Sequence, residues 1–249
     1  MAGTNGKRTR NLYDPQGKEP YKLSRSKIEL FIECPRCFYL DRRRGIGRPE
    51  GFPFTLNKAV DELLKKEFDI HRANSEPHPL MEHYSIDAIP FAHRDLDTWR
   101  KNFVGVQYLH EATQFIITGA VDDIWINPAK ELIVVDYKAT STTKKITLDE
   151  EYRQGYKRQM EIYQWLLRRN GFIVSDTGYF VYVNGRTDRS AFDGKLEFDL
   201  HLLPYKGNDT WVEKTLFQAH LCLESNTIPR SWPQCQYCRY TAAVMREVE

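Results

Sequence analysis

Two aspartates and a lysine stand in a stretch whose other residues predict a β-hairpin. Asp122 follows the first apolar run, and Asp136 and Lys138 lie in the second run, after the turn sequence NPAK. Because side chains alternate along a strand, Asp136 and Lys138 share one face, and the hairpin brings Asp122 to the same end. Neighbouring carboxylates repel each other unless a cation neutralises them, and their oxygens suit Mg²⁺ or Mn²⁺. The pattern predicts either a metal site with a lysine beside it or a simple Asp–Lys ion pair on an exposed strand end.

Two predicted helices carry further polar residues on their apolar sides. Apolar residues at helical spacing run from Leu56 to Phe68, and Asp61 lies on the same stripe. On a later helix, Gln159 shares a stripe with Tyr163 and therefore also points inward. Each of these residues alone also fits an ordinary packed or boundary position. Their occurrence in this order around the hairpin favours a common site.

Four of the five cysteines form two C-x-x-C pairs at opposite ends of the chain. Cys34 and Cys37 belong to CPRC, and Cys235 and Cys238 belong to CQYC. Four thiolates with this spacing suit a tetrahedral site for zinc or an iron–sulfur cluster, and the alternative is four unrelated buried thiols. Cys222 lies with apolar neighbours on a predicted helix, so we expect it in the core.

The composition indicates a folded protein of one large domain or two small ones. Of its 249 residues, 41% are apolar and 13% aromatic, which is enough for a core. The net charge of +2 alone says nothing about nucleic acid, and short basic runs are usually solvated surface. The chain has no apolar leader and no run of the roughly 20 apolar residues needed to cross a bilayer. We therefore expect a cytoplasmic protein without membrane contact.

The order of predicted elements is typical of a mixed α/β domain with a central sheet. Residues 1–20 are polar and predict a flexible tail, and residues 21–249 predict the folded domain. Within it, residues 74–98 are rich in Pro and His and predict an irregular surface excursion. Helices are expected at 23–43, 54–72, 150–171 and 210–226, and strands within 119–140, at 177–185 and at 195–204.

The ordered set of motifs resembles the PD-(D/E)XK nuclease superfamily, in particular its RecB-like and CRISPR-associated exonuclease branch. The matching segments are GAVD, the D-x-K segment VVDYKAT, the Q-x-x-x-Y segment QMEIY and the N-terminal LSRSKIELFIECPRCFYL. The resemblance covers about residues 23–240. It implies a restriction-endonuclease-like fold: a central mixed β-sheet flanked by helices, with the N- and C-terminal segments joined by a four-cysteine metal site.

The resemblance also implies a catalytic metal site. Asp122 and Asp136, with Asp61 and the backbone carbonyl of Tyr137, would hold Mg²⁺ or Mn²⁺. Lys138 would orient the attacking water or stabilise charge in the transition state. The family usually has a histidine or a glutamate where this chain has Asp61, and aspartate also binds hard cations.

Other residues receive supporting roles from the resemblance. Gln159 and Tyr163 would position the site or contact DNA. Lysine and arginine bind phosphates without reading sequence. The expected phosphate contacts are Arg42, Arg43, Arg44 and Lys145.

Related nucleases hold a 4Fe-4S cluster with one N-terminal and three C-terminal cysteines, whereas Cys37 here replaces a C-terminal one. Zinc and the cluster both stay open as the structural cofactor. The implied function is a Mg²⁺- or Mn²⁺-dependent deoxyribonuclease, an exonuclease acting on DNA ends or single strands. The alternative is a weak or inactive nuclease-fold module that binds nucleic acid or assembles with a helicase or CRISPR-associated partner. An interaction protein without a role on DNA would leave the D-x-K motif unexplained.

Overall fold

The computed structural model describes residues 7–49, 51 and 55–248. They form two compact units, and the single domain expected for residues 21–249 stays a prediction. The first unit comprises Met1–Phe52, Tyr108–Thr118 and Thr210–Glu249, and the second comprises Pro53–Gln107 and Gly119–Asp209. Each unit therefore combines segments that are distant in sequence.

The elements alternate along the chain as expected for a mixed α/β fold. The strands are β1 (Tyr21–Ser24), β2 (Ile89–Pro90), β3 (Val106–His110), β4 (Phe115–Gly119), β5 (Asp123–Ile126), β6 (Leu132–Thr140), β7 (Thr177–Gly185) and β8 (Phe198–Lys206). The helices are α1 (Arg25–Glu33), α2 (Pro35–Arg44), α3 (Thr55–Asn74), α4 (Pro79–His83), α5 (Leu96–Trp99), α6 (Gln154–Arg169), α7 (Trp211–Glu224) and α8 (Gln236–Val248).

The second unit is built around a five-stranded mixed sheet with the order β2-β5-β6-β7-β8. Strands β6 and β7 run parallel, and the other neighbours are antiparallel. Alternation along β6 places Val135 and Tyr137 on one face, where they pack in a core with Leu64 and Phe68 of α3. This confirms the predicted mixed sheet flanked by helices.

Helix α6 also contacts β6. Its buried Met160 lies so close to Gly178 of β7 that a side chain there would clash with the sulfur. The small residue thus lets the helix approach the sheet closely. This packing fixes the position of the polar residues that α6 carries.

The first unit contains a three-stranded sheet with the order β1-β4-β3, in which β1 and β4 run parallel. The single helix predicted for 23–43 is instead β1 followed by α1 and α2. The chain breaks at Cys34, whose backbone is extended (φ −165°), and Pro35 opens α2. Proline has no N–H to donate and disfavours a helical residue before it, so it starts a helix more readily than it continues one.

The segment 74–98 does not form the predicted surface excursion. It contains α4, β2 and most of α5, and it buries Leu80, Met81, Ala88 and Leu96. Conversely, Leu63, which lies within the apolar pattern from Leu56 to Phe68, is exposed. The burial of these side chains depends on the tertiary packing, which composition does not encode.

The predicted flexible tail is in part an ordered segment. Its residues 1–6 lie outside the described residues. Beyond them, the backbone N–H of Arg8 donates to Gly45, and that of Tyr13 donates to Arg42. The Arg8 guanidinium also pairs with Asp41 at 3.1 Å. Within the described ranges, no helix is long and apolar enough to cross a membrane.

Candidate functional site

Asp136 and Lys138 lie two residues apart on β6, and their side chains form an ion pair. Asp136 is fully buried and the Lys138 side chain is only 15% exposed, so this is not an ion pair on an exposed strand end. Burial alone would lower the pKa of Lys138, but the charges of Asp136 and Asp122 outweigh it and raise that pKa. The lysine therefore stays charged, with its ammonium 4.6 Å from the ring centre of Tyr156.

Asp122 lies in the short link between β4 and β5, at the end of β6 that carries Asp136 and Lys138. Its Oδ2 accepts a hydrogen bond from the backbone N–H of Tyr137 at 2.9 Å. Burial and the charge of Asp136 raise the pKa of Asp122 to about 6, although Lys138 acts in the opposite direction. The two carboxylates are thus close enough to repel each other, as the hairpin pattern predicts.

Helix α3 brings Asp61 toward Asp122, and a lysine that the sequence analysis did not single out comes with it. The Nζ atom of Lys65 lies 2.7 Å from Asp61 Oδ2 and 3.8 Å from Asp122 Oδ1. Burial and the charge of Asp122 raise the pKa of Asp61. Lys65 was identifiable in principle, because it follows Asp61 by four residues and so lies on the same helix face.

Helix α6 contributes Gln159 and Tyr163. The buried Gln159 donates from Nε2 to Asp136 Oδ1 at 2.7 Å and to the Tyr163 hydroxyl at 3.0 Å. A Cβ atom on Gly119 would lie 2.6 Å from the Tyr163 ring, so the glycine of the GAVD motif gives this tyrosine its space. The glutamine therefore holds one oxygen of Asp136, and the tyrosine holds the glutamine.

The acid after Asp122 was missed from the sequence, and it has a different role. Asp123 is fully buried, and its carboxylate contacts Arg72 and Arg100, the latter at 2.8 Å. It also accepts a hydrogen bond from the Tyr137 hydroxyl at 2.8 Å. Arg100 in turn donates to the backbone carbonyl of Asp122 at 3.1 Å. Two consecutive acids in GAVDD were the available signal, since a buried charge requires partners.

The predicted phosphate contacts differ in their exposure. Arg42 is buried and donates to Asp41 at 2.7 Å, so it lacks the surface position that a phosphate contact requires. Arg43 is half-buried and donates to Asn226 at 3.2 Å. Arg44, in the first unit, and Lys145, in the second unit, are exposed.

The donors of the acid site fit a hard divalent cation. Asp122 and Asp136 supply carboxylate oxygens, the ligand type that Mg²⁺ and Mn²⁺ prefer. Burial and, to a smaller extent, the negative charge of Asp136 raise the pKa of Asp122. Two ammonium groups, those of Lys65 and Lys138, reach toward these acids. The acid site therefore favours the binding of positively charged groups or ions.

The four cysteines of the two C-x-x-C pairs lie together within the first unit. Their sulfurs all lie within 4.8 Å of one another. The Sγ–Sγ distances are 3.7 Å for Cys34–Cys238, 3.6 Å for Cys37–Cys235 and 3.9 Å for Cys37–Cys238. These are too long for disulfides, whose sulfurs lie about 2 Å apart. The set fits a metal centre.

The surroundings of the cysteines shift the pKa values of their thiols in different directions. Burial raises the pKa of Cys37 to about 12. Burial acts in the same sense on Cys235, but hydrogen bonds from Cys238 and Cys37 outweigh it and lower its pKa to about 7. Arg48 approaches Cys235 Sγ at 3.6 Å. Four thiolates at this spacing need a cation, because without one the protons stay on part of the set. Cys222 is half-buried and stands apart from the group.

Three comparisons with known proteins give one family assignment. No match was found among curated proteins. A solved structure described as "Crystal structure of SSO0001" is 15% identical, with 91% of this chain and 87% of that chain aligned and a TM-score of 0.41. Residues 53–243 match the PD-(D/E)XK nuclease superfamily. Because this match spans most of the chain and contains the whole acid site, the chain belongs to the PD-(D/E)XK nuclease superfamily.

Proposed function

We propose that this protein is a metal-dependent deoxyribonuclease that hydrolyses phosphodiester bonds at DNA ends or in single strands. Membership of the superfamily supports a nuclease. The observation that carries the proposal is the buried Asp136–Lys138 pair, with Asp122 held beside it by the backbone of Tyr137. A core strand that carries an acid and a lysine at its centre is explained by chemistry better than by packing.

The proposed metal ligands are Asp122, Asp136 and the backbone carbonyl of Tyr137. When bound, Mg²⁺ or Mn²⁺ supplies Lewis-acid polarisation of the phosphate and a low pKa for the attacking water. The carboxylates supply the negative charge that holds such an ion. Asp61, the further ligand implied by the resemblance, forms an ion pair with Lys65 at 2.7 Å.

The remaining residues of the site act on the substrate and on one another. The Lys138 ammonium stays charged and donates hydrogen bonds to the water or to phosphate oxygens, which stabilises the charge that develops in the transition state. Gln159 fixes one oxygen of Asp136, and Tyr163 fixes Gln159, so both are positioning residues. The exposed side chains Arg44 and Lys145 are the proposed phosphate contacts.

The test is a cleavage assay with end-labelled linear single-stranded DNA, linear duplex DNA, circular single-stranded DNA and single-stranded RNA. We expect progressive shortening of linear DNA with Mg²⁺ or Mn²⁺, no reaction without a divalent ion, and resistance of the circle. Cleavage of the circle would contradict action on ends. Binding of DNA without cleavage under any condition would contradict the enzyme and favour the inactive nucleic-acid-binding module.

For the four-cysteine site, we propose a single zinc ion. Zn–S bonds of about 2.3 Å in a tetrahedron place the sulfurs about 3.8 Å apart. The separations between Cys34 and Cys238 and between Cys37 and Cys235 are 3.7 and 3.6 Å. Each cysteine of a four-iron cluster binds a different iron, so its sulfurs lie farther apart than ligands of one ion. Elemental analysis of anaerobically purified protein should give one zinc and no colour, whereas four irons with brown absorbance would overturn this assignment.

A further inference from the structure

Lys65 brings a second ammonium group to the acid site, in addition to that of Lys138. Its Nζ lies 2.7 Å from Asp61 and 3.8 Å from Asp122, and its side chain is 20% exposed. One lysine therefore spans two of the carboxylates that the family resemblance assigns to the metal. Lys65 belongs neither to the D-x-K motif nor to helix α6, which carries Gln159.

The position of Lys65 follows from the packing of α3. Asp61 and Lys65 are four residues apart, so their side chains lie one above the other on one face of the helix. Leu64 and Phe68 of the same helix are buried in the core, which fixes the rotation of α3 about its axis. The ammonium is thus directed to the acid site by the fold of the second unit.

A second divalent cation, bound between Asp61 and Asp122, would lie beside the Lys65 ammonium that already pairs with both acids, and like charges at such distances repel each other strongly. Lys65 pairs with Asp61 and Asp122, whereas Asp136 pairs with Lys138 and accepts a hydrogen bond from Gln159, so a cation bound between Asp122 and Asp136 leaves the Lys65–Asp61 pair in place. The exposed fraction of the Asp122 side chain is 23%, so ions have access to it. These contacts favour one divalent ion and one fixed ammonium over two divalent ions.

We propose that the site binds a single divalent cation between Asp122 and Asp136, and that Lys65, positioned by Asp61, replaces a second one. This inference rests on the proposed nuclease function and deepens it. Asp61 is then a positioning residue that acts through Lys65. The ammonium of Lys65 contributes positive charge on the α3 side of the site, where it faces the phosphate of a bound strand.

The test counts Mn²⁺ ions bound per chain by calorimetry and by electron paramagnetic resonance, with the cysteine metal retained. We expect one Mn²⁺ in the wild type and two in Lys65→Met, because the methionine frees the carboxylates of Asp61 and Asp122. Lys65→Arg should keep one ion, since the positive charge is retained. Lys66→Met is the matched control, because Lys66 is the next residue and is exposed. It should also bind one ion.

Two bound Mn²⁺ ions in the wild type would overturn the inference, and so would a single ion in Lys65→Met. A separate outcome concerns the proposed function itself. If Asp136→Asn binds Mn²⁺ as tightly as the wild type does, the acid site is not the metal site. The two failures are therefore distinguishable in the same titration.

Discussion

The acid site and the four-cysteine site are both fitted to metal ions, but they are built in opposite ways. In the acid site, Asp122 and Asp136 repel each other, and lysines from β6 and α3 reach toward them. In the cysteine site, the two C-x-x-C pairs bring together segments about 200 positions apart in the sequence, as in the contact between Cys37 and Cys235. In the proposed function, the first site carries out chemistry and the second stabilises the fold. Each site should therefore respond differently to mutation.

The largest expected effect on stability is in the cysteine site. Cys34→Ser or Cys238→Ser should reduce the free energy of unfolding by about 4–5 kcal/mol, because the metal closes a very long loop. That is a large share of a typical domain's stability. The measurement is thermal unfolding with soluble yield, and Cys222→Ser is the matched control that should change little. Equal losses in all three variants would mean that the metal does not crosslink the chain.

Within the second unit, the adjacent acids Asp122 and Asp123 should respond differently to mutation. Asp123→Ala should reduce stability by about 3–5 kcal/mol, because it removes the buried carboxylate that Arg72 and Arg100 share. Asp122→Ala should reduce stability far less and abolish cleavage. Urea unfolding of both variants checks this difference. Asp69 also pairs with Arg72 and Arg100. A stable Asp123→Ala protein would mean that Asp69 alone is sufficient for the two arginines.

The pH dependence of the stability of Asp122→Asn tests how much the buried charge of Asp122, beside Asp136, destabilises the metal-free protein. Because the pKa of Asp122 is raised to about 6 in the folded protein, its contribution to stability is present below about pH 4 and is lost as the pH rises through 6. Without added divalent ion, the Asn variant should therefore be more stable than the wild type by on the order of 1–3 kcal/mol above pH 7. The advantage should vanish near pH 4. Added Mn²⁺ should stabilise only the wild type. An advantage that is independent of pH would argue against this account.

The smallest effect is expected at the exposed Lys145. Lys145→Ala should weaken DNA binding about equally for all sequences and reduce the slope of log K against log salt by about 1. Binding titrations at several salt concentrations measure this slope. Lys130→Ala, at the turn before β6, is the comparison variant. If both variants change the slope alike, Lys145 has no special contact with the backbone of DNA.

The sequence predicted those elements whose periodicity is regular. The strand β6, the helix α6 with Gln159 and Tyr163, and the helix α7 follow from apolar spacing alone. The C-terminal helix α8 was not predicted, although its apolar residues follow helical spacing, and none of its residues is buried. The helix break at Cys34 was hidden because apolar residues continue on both sides of Pro35.

The contacts of the site were less accessible to sequence reasoning than its motifs. Motif spacing pointed to Asp122, Asp136 and Lys138, because residues on one hairpin have fixed neighbours. Lys65 and Arg100 come from segments whose distance to the hairpin depends on the packing of α3 and α5. No local pattern encodes those distances. Charged residues near a predicted site therefore need a structure before roles can be proposed.

The most direct test of the account is the cleavage rate and the melting temperature of Asp136→Asn, measured on one preparation and compared with the wild type. The asparagine preserves the acceptor for Gln159 but removes the charge beside Lys138. We predict a rate at least about a thousandfold lower with Mg²⁺ or Mn²⁺, with a melting temperature within about 4 °C of the wild-type value. A wild-type cleavage rate in this folded variant would contradict the assignment of the acid site as the catalytic centre.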